Sequence, residues 1–171
     1  MDSVRVKRSQ FATFLNTTPN GDTATYARMG KGITSASVAY NPTVNDELYI
    51  SEDGANKSLD SYAPSMASEQ IAFAGDPVFE YVDSLRQARA VGTDAKTDML
   101  MVYIYDKEAD GSYCAEKQEV IVSINEFGGE AGGAVTISYD AGFCGEPVKG
   151  TVTITNGKVI FKEATKPEVS E

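Results

Sequence analysis

From Ile33 onward the chain alternates apolar and polar residues in short runs of strand length. "ITSASVAY" is stopped at Asn41-Pro42, and "ELYIS" and "KSLDSY" are separated by "EDGAN", whose Asp53-Gly54 is a hairpin signal. A long acidic hairpin is predicted there. "MASEQIAF" adds a strand, and "MLMVYIY", "EVIVSI", "AVTISY", "TVTIT" and "KVIF" follow with turn residues between them. One segment breaks the period of two. In "FEYVDSLRQARAVG" and the residue before it, Val78, Val82, Leu85 and Arg89 recur at helical spacing, with Phe79 and Ala88 widening the stripe. The predicted helix runs from Pro77 to about Ala90, capped by Asp76, entered through Pro77 and ended by Gly92 in a left-handed conformation.

The tetrad "GDPV" at Gly75 returns as "GEPV" at Gly145. The first copy opens the helix and the second leads into "KGTVTIT", whose alternation is that of a strand. The likeness is one bend used twice, with Gly loosening the backbone and Pro fixing φ, and not an internal repeat.

Many short strands with a single helix predict a mainly β fold: two packed antiparallel sheets, sandwich- or barrel-like, with one flanking helix and the long hairpin. Residues 1–31 read as an amino-terminal arm anchored by Phe11, Phe14 and Leu15, residues 32–162 as the β domain, and 163–171 as a disordered tail. The length of 171 residues suits one domain.

Charge narrows the function. A formal net charge of −10 argues against a basic nucleic-acid groove and against an anionic membrane surface. No run of about eighteen apolar residues is present for a membrane span, and the first residues lack an apolar signal core, so a soluble protein made in the cytoplasm is expected. The charge is uneven: residues 1–32 hold five basic and two acidic side chains, residues 33–75 one and six, residues 98–131 two and eight. This asymmetry suits either plain solvated surface or a molecule that meets copies of itself head to tail.

Candidate chemistry is sparse. The absence of histidine removes Ser-His-Asp, Cys-His and histidine-zinc sites. "ARMGKG" fails a phosphate-loop pattern at Thr25 and Gly32, "FGGEAGGA" lacks dinucleotide-binding spacing, and "DKEADG" lacks the bidentate Glu of a calcium loop. Paired carboxylates such as Asp46-Glu47 and Glu52-Asp53 carry no sign of a raised-pKa acid. Cys114 and Cys144 read as reduced, buried thiols. Neither enzymatic activity nor a cofactor or metal is expected.

The ordered string "FATFLNTT", "RMGKGIT", "YNPTV", "YISEDGA", "SYAPSM", "GDPVFEYVDSLR", "AEKQEVIVSINEFGGEAGG" and "GEPVKGT" resembles the major tail, or tail tube, protein of long non-contractile-tailed bacteriophages of Gram-positive bacteria. The resemblance covers about residues 8–160; both cysteines, Ala63 and Ala67 depart from it. It implies a structural virion protein, assembled in the host bacterial cytoplasm, whose copies join edge to edge into sixfold rings stacked into a tube that passes DNA without specific binding. It also implies tape measure and tail terminator or tip proteins as partners, and no membrane.

On this reading the basic arm (Arg5, Lys7, Arg8, Arg28, Lys31) approaches the acidic hairpin (Asp46, Glu47, Glu52, Asp53) of a neighbouring copy. Lys117, Glu119, Ser123, Asn125, Thr136, Ser138 and Asp140 either line the channel or form a solvated outer face. The rival readings are a carbohydrate- or ligand-binding β-sandwich of a phage or cell surface, which would stack sugars on Tyr since Trp is absent, and a tube component of an injection or contractile tail apparatus.

Overall fold

The computed structural model of the protein describes residues 3–165. Ten strands form in chain order: β1 (Phe11–Asn16), β2 (Tyr26–Arg28), β3 (Ile33–Ala39), β4 (Pro42–Glu47), β5 (Asn56–Tyr62), β6 (Ser65–Ile71), β7 (Lys96–Lys107), β8 (Tyr113–Gly128), β9 (Thr136–Thr155) and β10 (Lys158–Glu163). A single α-helix, α1 (Pro77–Ala88), lies between β6 and β7. The mainly β class with one helix and a long hairpin is therefore as expected. The strands differ from the expectation in one respect: apart from the β4-β5 hairpin they form a single antiparallel path, β2-β1-β7-β8-β9-β6-β3, with β10 also on β9.

The path curls. β1 and β3 stand far apart in hydrogen-bonded order, yet Arg8 donates to the carbonyls of Phe11 and Ala36, one on each strand. The first core, with Leu15, Met66, Met99, Met101, Val120, Ile137 and Tyr139, draws on strands from both ends of the path. Val78, Val82 and Leu85 of α1 close it, each contributing about 2 kcal/mol by burial. A second core lies on the opposite face of β7, where Leu100 and Val102 meet Ala12, Phe14, Ala115, Val152 and Val159. The consecutive apolar run "MLMV" serves both cores, because alternate side chains leave opposite faces.

β9 is the longest strand and contains the second tetrad, which is a bulge inside a strand and not a bend between two strands. Glu119 pairs with Cys144 and Lys117 with Val148, so Gly145, Glu146 and Pro147 are extra residues opposite Gln118. Gly145 takes φ 65°. The buried Gln118 amide bridges the bulge, donating to Cys144 O at 2.8 Å and Gly145 O at 3.3 Å. Beyond the bulge, Gly150 leaves room for β10: a Cβ there would lie 2.2 Å from Lys162 O and 2.6 Å from the Phe161 ring.

Three other expectations change. Phe11, Phe14 and Leu15 do not anchor a loose arm; β1 pairs with β7 through five residues and is buried, because its run of five buried side chains fits the seam between the two cores. "ELYIS" is not a strand: β4 ends at Glu47, and Leu48–Ile50 belong to the hairpin loop. Residues 163–165 continue from β10, and the rest of the predicted 163–171 tail lies outside the described residues. No helix among the described residues is long and apolar enough to cross a membrane.

Asp76 caps α1 as predicted, accepting from Phe79 N at 2.9 Å, and Pro77 begins it. Its carboxylate also accepts from the buried Gln70 amide at 2.9 Å, and that amide reaches Lys31 O at 3.0 Å, tying the helix to β6. Asp76→Ala removes the one oxygen that accepts both bonds, so chemical denaturation should show a loss of about 2 kcal/mol. Leu85→Asp places a charge in the first core and should leave the chain unfolded or aggregated; unchanged melting and circular dichroism would refute the packing of α1.

Candidate functional site

Two surfaces expose groups that the rest of the fold buries or pairs. The first is the β4-β5 hairpin. All of its residues from Pro42 to Tyr62 are exposed, on both faces, and it carries Val44, Leu48, Tyr49, Ile50 and Leu59 into solvent. A two-stranded ribbon without a core is marginal in water. At its root Asn41 takes φ 45° and donates to Ala63 O at 3.0 Å, while the Tyr40 and Tyr62 rings meet edge to face with centroids 6.1 Å apart.

The second surface is the face of β3, β6, β9 and β8 turned away from α1. Residues directly opposite across a ladder share a face, so Ser123 with Asp140, Glu126 with Ser138, Ser138 with Glu69, and Glu119 with Asp98 compose one polar surface. Asn125 donates to Asp140 at 3.1 Å, and Thr136 continues the row. Six of the seven predicted lumen residues gather here. Lys117 sits farther along the same face, over the second core, with its ammonium 5.6 Å from the Phe161 ring. The carboxylates of Glu69, Asp98, Glu119, Glu126 and Asp140 are set against the ammonium of Lys96, which donates to Glu119 at 2.9 Å. That bond holds the Lys96 pKa above its ordinary value, so the amine is a paired charge and the surface stays acidic.

These four strands end in two open edges. β3 pairs only with β6, and β8 beyond Ile121 pairs only with β9, because β7 starts at Lys96 opposite Ile121. The sequence offers no signal for the second edge, since β8 reads as one uninterrupted alternation.

The predicted assembly charges are unevenly available. Arg8 is spent on the Phe11 and Ala36 carbonyls and stacks 5.1 Å from the Phe11 ring centroid. Arg28 reaches Ser9 O at 3.4 Å, and the Lys31 ammonium lies 4.9 Å from the Phe73 ring. Arg5 and Lys7 are exposed. In the hairpin, Asp46 pairs with Lys57 at 2.8 Å, Glu47 accepts from Tyr49 and Glu52 from the Asn56 amide; Glu52 and Asp53 occupy the exposed loop.

A chain from the solved structure "Tail of empty GTA particle computed with helical refinement, C6 symmetry" matches at TM-score 0.59 and 12% identity, over 84% of this chain and 97% of that one. This chain shares the fold of that tail component. A chain from the "Cryo-EM structure of the anti-feeding prophage (AFP) baseplate, 6-fold symmetrised" matches at TM-score 0.48 and 8% identity, over 87% and 97%, which is too distant to argue from. No family profile and no curated protein sequence matches the chain.

Both cysteines are free thiols, half-buried where full burial was expected; Cys144, on β9, is level with Glu119 of β8, five residues along that strand from Cys114. That separation, about 17 Å of strand, excludes a bridge within the chain. Cys114 donates to Glu108 at 3.1 Å, and this bond, with burial and Asp106, pushes its pKa up to about 12. A raised thiol pKa leaves little thiolate at pH 8, so iodoacetamide should modify Cys114 at least tenfold more slowly than a free cysteine. Glu108→Ala should recover most of that rate, as read by mass spectrometry.

Proposed function

We propose that the protein is a structural subunit of a phage-like tail, whose copies add edge to edge into rings and whose rings stack into a tube. The observation that carries this reading is the pair of open edges, on β3 and on β8 beyond Ile121, flanking one acidic four-strand face. An unpaired edge on each side of a subunit lets one contact repeat around a closed ring, in the manner of a heterologous interface. The fold shared with a tail component described in C6 symmetry supports a ring of six.

Closing the ring turns the acidic face into a channel wall. Carboxylates and hydroxyls repel or ignore phosphate, whereas unpaired Lys or Arg would hold it, so DNA can move through without being gripped. The projecting hairpin, with apolar side chains bare on both faces, becomes ordered surface when it lies against a neighbouring copy. Arg5 and Lys7 are the arm cations placed to steer the acidic hairpin of an approaching copy, with Glu52 and Asp53 as the exposed targets. The role is structural and uses no catalytic group or cofactor; tape measure and terminator or tip proteins are the further partners it entails, in a virion assembled in a bacterial host.

Concentrated pure protein viewed by negative stain should contain tubes with sixfold end views. The Ala36 carbonyl points to the free edge of β3, as its bond to Arg8 shows, so the Ala36 N–H points there too. Ala36→Pro deletes that edge donor without touching the ladder to β6, and should abolish tubes while leaving circular dichroism and melting near wild type. A wild-type protein that stays monomeric at all concentrations, or tubes that form normally from the Pro variant, would refute the edge-to-edge reading.

A further inference from the structure

α1 ends in an unusual way. The helix ends at Arg89, in the left-handed position with φ 49° and ψ 48°, three residues before Gly92, which is itself at φ 60°; the turn closes through Arg89 N to Arg86 O at 3.1 Å and Ala90 N to Leu85 O at 3.0 Å. Gly is the residue that occupies this position without steric penalty, and an Arg there is strained. A strained residue at a point where nothing in the fold requires its side chain marks a site where the side chain serves something else.

The turn stands at an apolar groove of about 600 Å³, floored by Leu85, Val122 and Ile124, and Val91 beside it is 77% exposed. The groove lining includes Arg86 and Arg89 and no acidic residue. Asp83 holds Arg86 at 2.7 Å, and the Phe127 ring lies 3.9 Å from its guanidinium, so Arg89 is the charge left to act outward. A second depression, of about 860 Å³, lies under the hairpin root. Tyr40, Tyr62, Met101 and Phe143 give it apolar walls, and Asp60, Glu116 and Glu146 line it with no Lys or Arg. Glu116 accepts from Tyr103 at 2.9 Å and Asp60 accepts from Asn45 and Ser58 of the hairpin; Asp60 and Glu146 are exposed and carry the outward negative charge.

We infer that the Arg89–Val91 turn of one copy seats in the hairpin-root depression of the next, Val91 against the Tyr40-Tyr62 pair and Arg89 against Asp60 and Glu146. This rests on the edge-to-edge reading above and adds its second contact. The register supports it: Ala39, the last residue of β3, lies level with Ser65, Gly142 and Ile121 across the sheet. When β3 of a neighbour meets the open edge of β8, its hairpin root therefore arrives beside Ile121, where the turn lies. The left-handed kink at Asn41 turns the neighbour's chain out of the sheet at the level where β7 occupies the edge. The charge on Arg89 sets the register of an otherwise apolar contact.

Arg89→Gly separates function from stability. It relieves the backbone strain, so melting should stay constant or rise by a few degrees, while association weakens by about tenfold. For a direct measurement, Val91→Cys and Tyr62→Cys are placed in two differently tagged full-length chains, each with Cys114→Ser and Cys144→Ser. On mixing at high concentration, mild oxidation should trap a mixed disulfide dimer; Arg89→Glu should cut its yield at least tenfold, and Asp60→Arg in the other chain should restore it. Tubes that form while the two introduced thiols never cross-link, and that ignore Arg89→Glu, would overturn this contact and leave the tube reading standing. A trapped dimer from protein that never forms tubes would uphold the contact and overturn the tube reading. Neither dimer nor tubes would overturn both.

Discussion

Everything in the fold hangs on the pairing of β8 with β9. β9 is 20 residues long, and its outer edge carries β6 along its first part and β10 along its last, while β8 holds β7 along its first part alone. The two strands thus pass from one core to the other. A straight ribbon of this length could not serve both, because each core needs the sheet to curve toward it. The bulge at Gly145–Pro147 supplies the change of direction, and it is tolerable because the Gln118 amide bridges it. A buried amide at one position therefore reconciles two apolar cores.

That arrangement also explains why two sheet edges are open. β7 begins only at Lys96, opposite Ile121, where the chain arrives from α1, and the last seven residues of β8 are left with an open side. The far edge, on β3, is open because the chain departs there into the hairpin. Soluble monomers usually blunt such edges, and one trace of this is present: Arg8 covers the Ala36 carbonyl. The rest of both edges is bare.

Legibility in the sequence follows how local the cause is. The helix and its Asp76-Pro77 start are readable because capping chemistry acts over four residues. The hairpin is readable from Asp53-Gly54 and the flanking alternation, and six polar residues of one face are readable from period two alone. The role of β1 is not, since its fitness for the sheet comes from being pinched between β7 and β2, a tertiary fact, while the flanking polar residues give it the look of an arm. The second "GEPV" misleads for a related reason: Gly and Pro signal a break in pairing, and only the partner strand decides whether the break ends a strand or bulges it. Arg89 fits the apolar stripe of the helix by spacing, and Gly92 is the better left-handed residue by chemistry, so the sequence points to the wrong terminator.

Charge has to be weighed at two distances. A subunit of net charge −10 repels its copies from afar, and that repulsion keeps a protein with two bare edges and an apolar hairpin dispersed. Salt of physiological strength reduces it beyond about 8 Å, so the contact itself is decided by backbone pairing, apolar burial and the few charges that meet at close range. Acidic residues concentrated on one face cost least there when that face surrounds a wide, water-filled channel, since the solvent screens them from one another. The same residues spread over the ring contacts would oppose assembly at the distance where it is decided. Glu69, Asp98, Glu119 and Asp140 lie on the sheet face outside the open segments of β3 and β8, and Glu126 alone falls on one, so edge pairing as proposed would bring few of the acids into the contact itself.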